Sequence, residues 1–244
     1  THVIIWMLLI LIPSEIGNLT NLTTLYLRDN QLTGVIPSEI GNLTNLTFLN
    51  LTNNQLTGSI PSSIGNLSNL NYLYLRNNQL TGGIPSSIEN MANLKYLDLS
   101  INQLGSIPLE ITNLNNIQVL RLENNNFGGN ILSEIGNLTT LTTLRLDNNQ
   151  FIGNIPQEIG ALTNLTYLGL SSNQLTGEIP ASIGNLTVLT SLGLNVNQLT
   201  GKIPTEFWYL INLEVLSLND NQLTGIISDN ICDYDFTYLD ISNN

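Results

Sequence analysis

Histidine and cysteine carry most acid–base, nucleophilic and metal chemistry near neutral pH. Each occurs once here, at His2 and Cys232. A serine nucleophile needs a histidine or equivalent base beside it, and a zinc centre needs several such ligands. One of each, at opposite ends of the sequence, supplies neither. Carboxylates remain. Asp98 and Glu123 fall one repeat apart and would lie on neighbouring strands, which suits a glycosidase-like pair; the plainer reading is solvated charge on a strand face. Asp229, Asp233 and Asp235 follow no calcium-loop spacing. Cys232 stands where other repeats have the glycine of I-G-N-L and reads as a small buried residue rather than a reactive thiol. No catalytic residue, metal ligand or cofactor is assigned.

The residues that could do chemistry of another kind are tyrosines and arginines. Tyr26, Tyr74, Arg121 and Arg145 occur between paired leucines, and Phe48, Tyr72, Tyr96, Tyr167 and Tyr238 just before them. Arg28 and Arg76 follow, and Lys95 opens the fourth strand segment. Five of the six basic residues of an acidic chain therefore share one strip with most of its tyrosines. Tyr and Arg anchor interfaces. The strip runs from aromatic and basic to small and acidic, as Gly169, Gly193, Ser217 and Asp240 take over. The expected contact residues are Tyr26, Arg28, Phe48, Tyr72, Tyr74, Arg76, Lys95, Tyr96, Arg121 and Arg145.

What must position them is a repeat. Leu70, Leu73, Leu75, Asn78 and Leu80 spell L-x-x-L-x-L-x-x-N-x-L, and nearly the same words recur at Leu46 to Pro61, Leu165 to Pro180 and Leu189 to Pro204. One asparagine marks each repeat: Asn30, Asn54, Asn78, Asn102, Asn125, Asn149, Asn173, Asn197, Asn221 and Asn244. The steps are 24 residues, with 23 before Asn125 and Asn244. A fixed period of this size marks a solenoid whose turns pack only on their neighbours. Leu73-x-Leu75 predicts a strand with alternate side chains inward. The asparagine amide can serve backbone groups of adjacent turns where the chain leaves the strand.

Leu56-Thr-Gly-Ser-Ile-Pro61 adds a second extended piece, in which glycine permits a bend and proline excludes a central strand. Pro37 to Leu43 then predicts one short helical turn, with Ser38 suited to its start, Gly41 to its end, and Ile40 and Leu43 inward.

This pattern resembles the leucine-rich repeat family from about Ile12 to Asn244. With its L-T-G-x-I-P it is similar to the plant-type class of receptor ectodomains and polygalacturonase-inhibiting proteins. The resemblance implies an α/β solenoid, mostly β with short 3-10 turns, wound as a right-handed superhelix with a parallel concave sheet. It also implies that the strip is the concave binding face, and an extracellular or cell-surface place. The paired capping cysteines of that class have no counterpart here.

The totals agree. Charged residues make up 10% of 244, and the net charge is −12. Nucleic acid and anionic membranes both need a positive footprint, so neither is expected as partner. Residues 1–244 read as a single domain, with 1–12 a degenerate first turn or truncated cap and about ten repeats from 13 to 244. In that first stretch Trp6 stands in the ladder position. The apolar run is too short to span a bilayer. Asn244 ends the sequence without a polar capping repeat, which suggests either a segment of a longer receptor or an end packed on something else.

Repeat four is one residue short at Leu104-Gly105-Ser106, and repeats five and six carry Phe127 and Phe151 for leucine. Phe207 is expected in the core, with Trp208 and Tyr209 as lateral packing.

Two further columns are regular. Thr33, Thr57, Thr81, Thr176, Thr200 and Thr224 form one, and Thr20, Thr44, Ser68, Thr139, Thr163 and Thr187 the other. Threonine ladders on a flat side can match an ice lattice, so an ice-binding or structural surface is the rival reading. Nine N-x-S/T sequons occur, five of them as G-N-L-T/S at Asn18, Asn42, Asn66, Asn137 and Asn185. The expected function is non-enzymatic recognition of a protein, peptide or glycan through the concave strip.

Overall fold

The computed structural model describes residues 2–4, 11–227 and 229–244. They fall into two compact units, Thr1–Phe127 and Gly128–Asn244.

In the first unit the strands His2–Ile4, Thr24–Tyr26, Phe48–Asn50, Tyr72–Tyr74, Tyr96–Asp98 and Val119–Arg121 pair in parallel in that order. Leu25, Leu49, Leu73, Leu97 and Leu120 sit side by side in this register and are buried. Each strand is three residues long because only the alternation around the middle leucine is shared by every coil. Thr1, Trp6, Leu9 and Ile10, on which the expected first turn rests, lie outside the described residues.

The L-T-G segments form a second, three-stranded parallel sheet of Thr57–Ser59, Gln79–Gly83 and Gln103–Ser106. Its register slips between Gly82 and Gly83, opposite Leu104 and Ser106, where repeat four lacks a residue.

The five-residue 3-10 turns Ser14–Asn18, Ser38–Asn42, Ser62–Asn66, Ser86–Asn90 and Leu109–Asn113 close the coils. Ile40, Leu43, Ile64 and Leu67 from this side meet the strand leucines in the core.

The second unit repeats the plan. Thr143–Arg145, Tyr167–Gly169, Ser191–Gly193, Val215–Ser217 and Tyr238–Asp240 form its main parallel sheet. Gly128–Asn130, Gln150–Asn154, Gln174–Glu178 and Gln198–Thr200 form the second. Phe127, Phe151 and Phe207 take core positions within their units.

The inner asparagines close the sheet's loop edge. Asn78 Nδ2 donates to Leu51 O of the preceding coil and Leu75 O of its own, both at 3.0 Å, and its Oδ1 accepts from Leu56 N at 3.0 Å. Asn54, Asn125, Asn173 and Asn221 do the same in their coils. The residue before each sits in the left-handed region, with φ of 52° to 57° from Asp29 to Asn243. At Ile101 and Val196 that residue is β-branched, which is strained.

Several expectations need correction. Ser38 does not cap its turn: Pro37 holds the cap position without a side-chain bond, and Ser38 Oγ donates to Glu39. The serine that matters is the next one, since Ser63, Ser87 and Ser182 each donate to a carbonyl of the preceding coil at 2.6 Å. Gly41 serves close approach rather than a left-handed exit, because a Cβ there would lie 2.4 Å from Ser63 O. The left-handed glycine is Gly58 of L-T-G, at φ 72°. Cys232 is exposed, not buried. Trp208 packs edge-on against Phe207 and Tyr234, but Tyr209 is 63% exposed and packs little. Asp98 and Glu123 are buried rather than solvated.

Candidate functional site

Outward side chains of the main sheet stand at neighbouring positions on successive coils, about 4.8 Å apart. In the first unit this spacing joins five rings. Tyr26 packs on Phe48 with centroids 4.5 Å apart, and Phe48 meets Tyr72 at 5.9 Å and Tyr74 at 5.4 Å. Tyr74 meets Tyr96 at 4.7 Å, and all four contacts are tilted by 33° to 40°. Tyr26 and Tyr72 are exposed, and the other three rings are half-buried. Burial, then the neighbouring Tyr96, Tyr72 and Asp98, push the Tyr74 hydroxyl up to about 12. Tyr74 therefore keeps its proton as a hydrogen-bond donor at any physiological pH.

Beside the rings lies a polar cluster. Arg121 donates to Glu123 Oε1 through Nε at 3.0 Å and through Nη2, and its Nη1 is 3.8 Å from Asp98 Oδ2. Asp98 Oδ1 accepts from Ser100 N at 3.1 Å and Ser100 Oγ at 2.6 Å. Arg76 Nη1 donates to Ser100 Oγ at 2.9 Å and lies 3.6 Å from Glu123. Burial alone would lower the Arg121 pKa; the hydrogen bond and charge of Glu123, with Asp98 and Tyr96, raise it further above its ordinary value. Arg121 is thus held by its neighbours and positions Tyr96 and the carboxylates. Lys95 is exposed, and Arg28 pairs with Asp29 at 2.7 Å in the open.

The second unit presents a barer face. Arg145 Nε lies 3.3 Å from Asp147 Oδ2, and the guanidinium sits 5.0 Å over the Tyr167 ring. Asp147 is buried, which raises its carboxyl pKa against the pull of Arg145. Its side chain leans over Gly169, where a Cβ would come within 2.2 Å of Oδ2. Ser171 Oγ leans likewise over Gly193 and donates to Asn195 Oδ1 at 2.5 Å.

The threonine column lies on the second sheets, and several of its hydroxyls are spent there. Thr57 donates to Gly34 O at 3.2 Å and Thr224 to Gly201 O at 3.1 Å, while Thr176 turns to Asn154 Oδ1 at 3.4 Å. Thr33 and Thr200 are half-buried, and Thr81 is exposed.

Sequence reasoning missed a second asparagine ladder. Asn45, Asn69, Asn93, Asn116, Asn164 and Asn212 each donate Nδ2 to a carbonyl of the preceding coil at 2.7–2.9 Å. The signal was present, since these residues keep the period of the inner ladder.

The family profile described as leucine-rich repeat region matches residues 117–230. Profiles described as leucine rich repeat and leucine rich repeats (2 copies) match 20–80 and 68–110. The chain belongs to the leucine-rich repeat family. No curated protein matches it. Among solved structures, this leucine-rich repeat chain is similar to the plant peptide hormone receptor RGFR1, solved in complex with RGF2. Identity is 40% and the TM-score 0.93, over 96% of this chain and 38% of that one. It is also similar to the Arabidopsis receptor kinase HAESA, solved with the peptide hormone IDA and the co-receptor SERK1: 38% identity, TM-score 0.86, 92% and 38% covered. A plant ice-binding protein matches at 30% identity and TM-score 0.74, over 89% of this chain and 70% of that one. The chain thus spans well under half the length of the two receptor chains. Among the described residues no helix is long and apolar enough to cross a membrane.

Proposed function

We propose that the chain is a non-enzymatic recognition module whose outward strand face in the first unit takes a peptide or an extended segment of a protein. The observation that carries this is the run of rings Tyr26, Phe48, Tyr72, Tyr74 and Tyr96, a continuous aromatic surface on an otherwise Asn- and Thr-rich chain. Aromatic residues dominate binding hot spots. The similarity to receptors solved with peptide hormones supports the same reading, and with it an extracellular or cell-surface place and membership of a larger receptor. The recurring 23–24-residue period supports residues 1–244 as a single domain, with about ten repeats from 13 to 244. Lys95 is an exposed cation on this face and Arg28 is exposed but paired with Asp29, whereas Arg76 and Arg121 are engaged by Glu123 and Asp98 in the sheltered cluster.

The test is a binding screen of the purified chain against a library of secreted peptides, beside a Tyr72→Ala/Tyr74→Ala variant. The variant should keep its circular dichroism and lose affinity by at least about 30-fold, as for a hot spot of roughly 2 kcal/mol. Equal binding by both proteins removes the aromatic face from consideration; selective retention of oligosaccharides would make the ligand a glycan.

The likeness to a plant ice-binding protein favours a second reading, in which the threonine column meets ice. Charged Glu178 and Lys202 on the same side and the inward-donating hydroxyls weigh against it. Thermal hysteresis that disappears in Thr57→Val/Thr81→Val would reinstate it.

A further inference from the structure

We propose that the ends of the 3-10 turns form an N-glycan attachment edge. Its acceptors are Asn18, Asn42 and Asn66 in the first unit and Asn137 and Asn185 in the second, while the sequons at Asn45, Asn50 and Asn164 stay bare in the folded protein. The inference rests on the extracellular reading above, because attachment needs the secretory pathway. In that step the asparagine Nδ2 bonds to C1 of a sugar carried on a lipid pyrophosphate. The C1–O bond breaks, the lipid pyrophosphate leaves with its electron pair, and the amide gives up one proton.

All nine sequons look alike in the sequence, and the fold separates them. The five acceptors are each the last residue of a 3-10 turn and are exposed. Their partner hydroxyls, on Thr20, Thr44, Ser68, Thr139 and Thr187, are exposed too. The leucine between them is buried at Leu43, Leu67, Leu138 and Leu186, so acceptor and hydroxyl stand together at the surface there, while Leu19 in the first described coil is itself 43% exposed. All five acceptors are open to solvent, although Asn42 Nδ2 rests beside Gly17 of the preceding coil, 3.0 Å from where a Cβ would stand.

At Asn45 and Asn164 both halves of the sequon are committed. Asn45 Nδ2 donates to Thr20 O and Thr47 Oγ1 to Thr23 O, both at 2.9 Å. Asn164 donates to Thr139 O at 2.8 Å and Thr166 to Thr142 O at 2.9 Å. These are bonds between coils, so a sugar here would have to sit on the same nitrogen that holds the preceding coil. Asn50 is buried on the strand face, in register between Tyr26 and Tyr74, with its Oδ1 accepting from Thr52 N at 2.9 Å. Attachment before folding does not escape this constraint, since a chain carrying a glycan at Asn50 cannot close that face. Asn21 holds the outer-ladder position of the first described coil and groups with Asn45 by position. The glycan edge and the aromatic face use different sides of the same coils, so one is free to be shielded while the other is left open.

The whole chain is to be secreted from a eukaryotic host and its soluble, folded fraction treated with peptide N-glycosidase in ¹⁸O water. Each released site then becomes labelled aspartate, located by peptide mass. Label at the five turn-end asparagines and none at Asn45, Asn50 and Asn164 is the expected result. Label at Asn50, Asn45 or Asn164, or none at the five, overturns it. A variant with Thr20→Ala, Thr44→Ala, Ser68→Ala, Thr139→Ala and Thr187→Ala should lose all the label and keep its peptide binding. The peptide screen can fail while this map holds, so the two readings are separable.

Discussion

In the first unit the position between the paired leucines holds Tyr26, Asn50, Tyr74, Asp98 and Arg121; in the second it holds Arg145, Gly169, Gly193, Ser217 and Asp240. The leucines beneath are buried in both, apart from Leu239 in the last strand, which is 39% exposed. The inner asparagines make the same bonds in both. A solenoid coil thus separates two kinds of information. Residues pointing inward are dictated by stacking, whereas residues pointing outward answer to whatever meets the sheet. Large outward side chains in the first unit shelter a polar cluster, so Asp98 and Glu123 lose their water and depend on Arg121. In the second unit the outward residues shrink to glycine, and the following side chains, Asp147 and Ser171, fold over the vacated space.

The sharpest way to break the comparison is to remove Arg121. Arg121→Ala leaves Asp98 and Glu123 buried with less countercharge, which should cost about 3–5 kcal/mol. Denaturant unfolding would read this as a lower midpoint at unchanged slope. A loss below roughly 1 kcal/mol, the value of an exposed pair, would falsify the sheltering argument. The second unit has a steric counterpart. Gly169→Ala puts a methyl group 2.2 Å from Asp147 Oδ2 and must displace that carboxylate from Arg145 and Ser171 N. Overpacking of this sort should cost about 1–3 kcal/mol. If the variant melts like the parent, Asp147 has room to swing out, and the glycine is there for another reason.

Much of this was legible in advance, and the reason is periodic. Leu73, Leu75 and Asn78 are named by their spacing because every coil must satisfy the same stacking, so strands, turns and ladder followed from counting. The engagement of Arg121 was not legible. Arg76 reaches Ser100 and Glu123 one and two coils away, and whether two outward side chains touch depends on how each leans between coils. The exposed ladder at Asn45 to Asn212 was missed for a different reason. A polar residue on a solvated edge looks as though it needs no partner, although its spacing of about one repeat is that of a bonding ladder. The turn serine was misjudged because a residue next to proline resembles a helix cap, while a 3-10 turn of five residues has little to cap.

A gentler test uses strain common to both units. Ile101 and Val196 hold a left-handed position that Asn fills in Asn53, Asn77, Asn124 and Asn148. Left-handed φ costs an ordinary L-residue about 1–2 kcal/mol and asparagine less. Val196 is 45% exposed, so Val196→Asn forfeits little burial and should raise stability by roughly 1 kcal/mol. Ile101→Asn gives up more apolar contact and should gain less. Equal or negative effects on thermal midpoints would mean that the two coils do not present this position in the same way.

The smallest effect concerns Asp147, and its sign separates the two faces. Burial raises its pKa in the folded protein, with Arg145 offsetting part of the shift. An acid whose folded pKa exceeds the unfolded one keeps its proton longer in the native state. Below the ordinary aspartate range both states are protonated and Asp147 costs nothing. As pH rises from there through the folded value, the native state holds the extra proton, so stability falls, and the full cost persists above it. Asp147→Asn keeps an acceptor for Ser171 N and cannot ionise. The stability of the parent minus that of Asp147→Asn should therefore decline as pH rises above about 4, the ordinary aspartate value. A difference that rises with pH would show that Arg145 more than repays the burial. The second unit's carboxylate would then be held by charge, as those around Arg121 are, and the contrast between the two faces would come down to side-chain size alone.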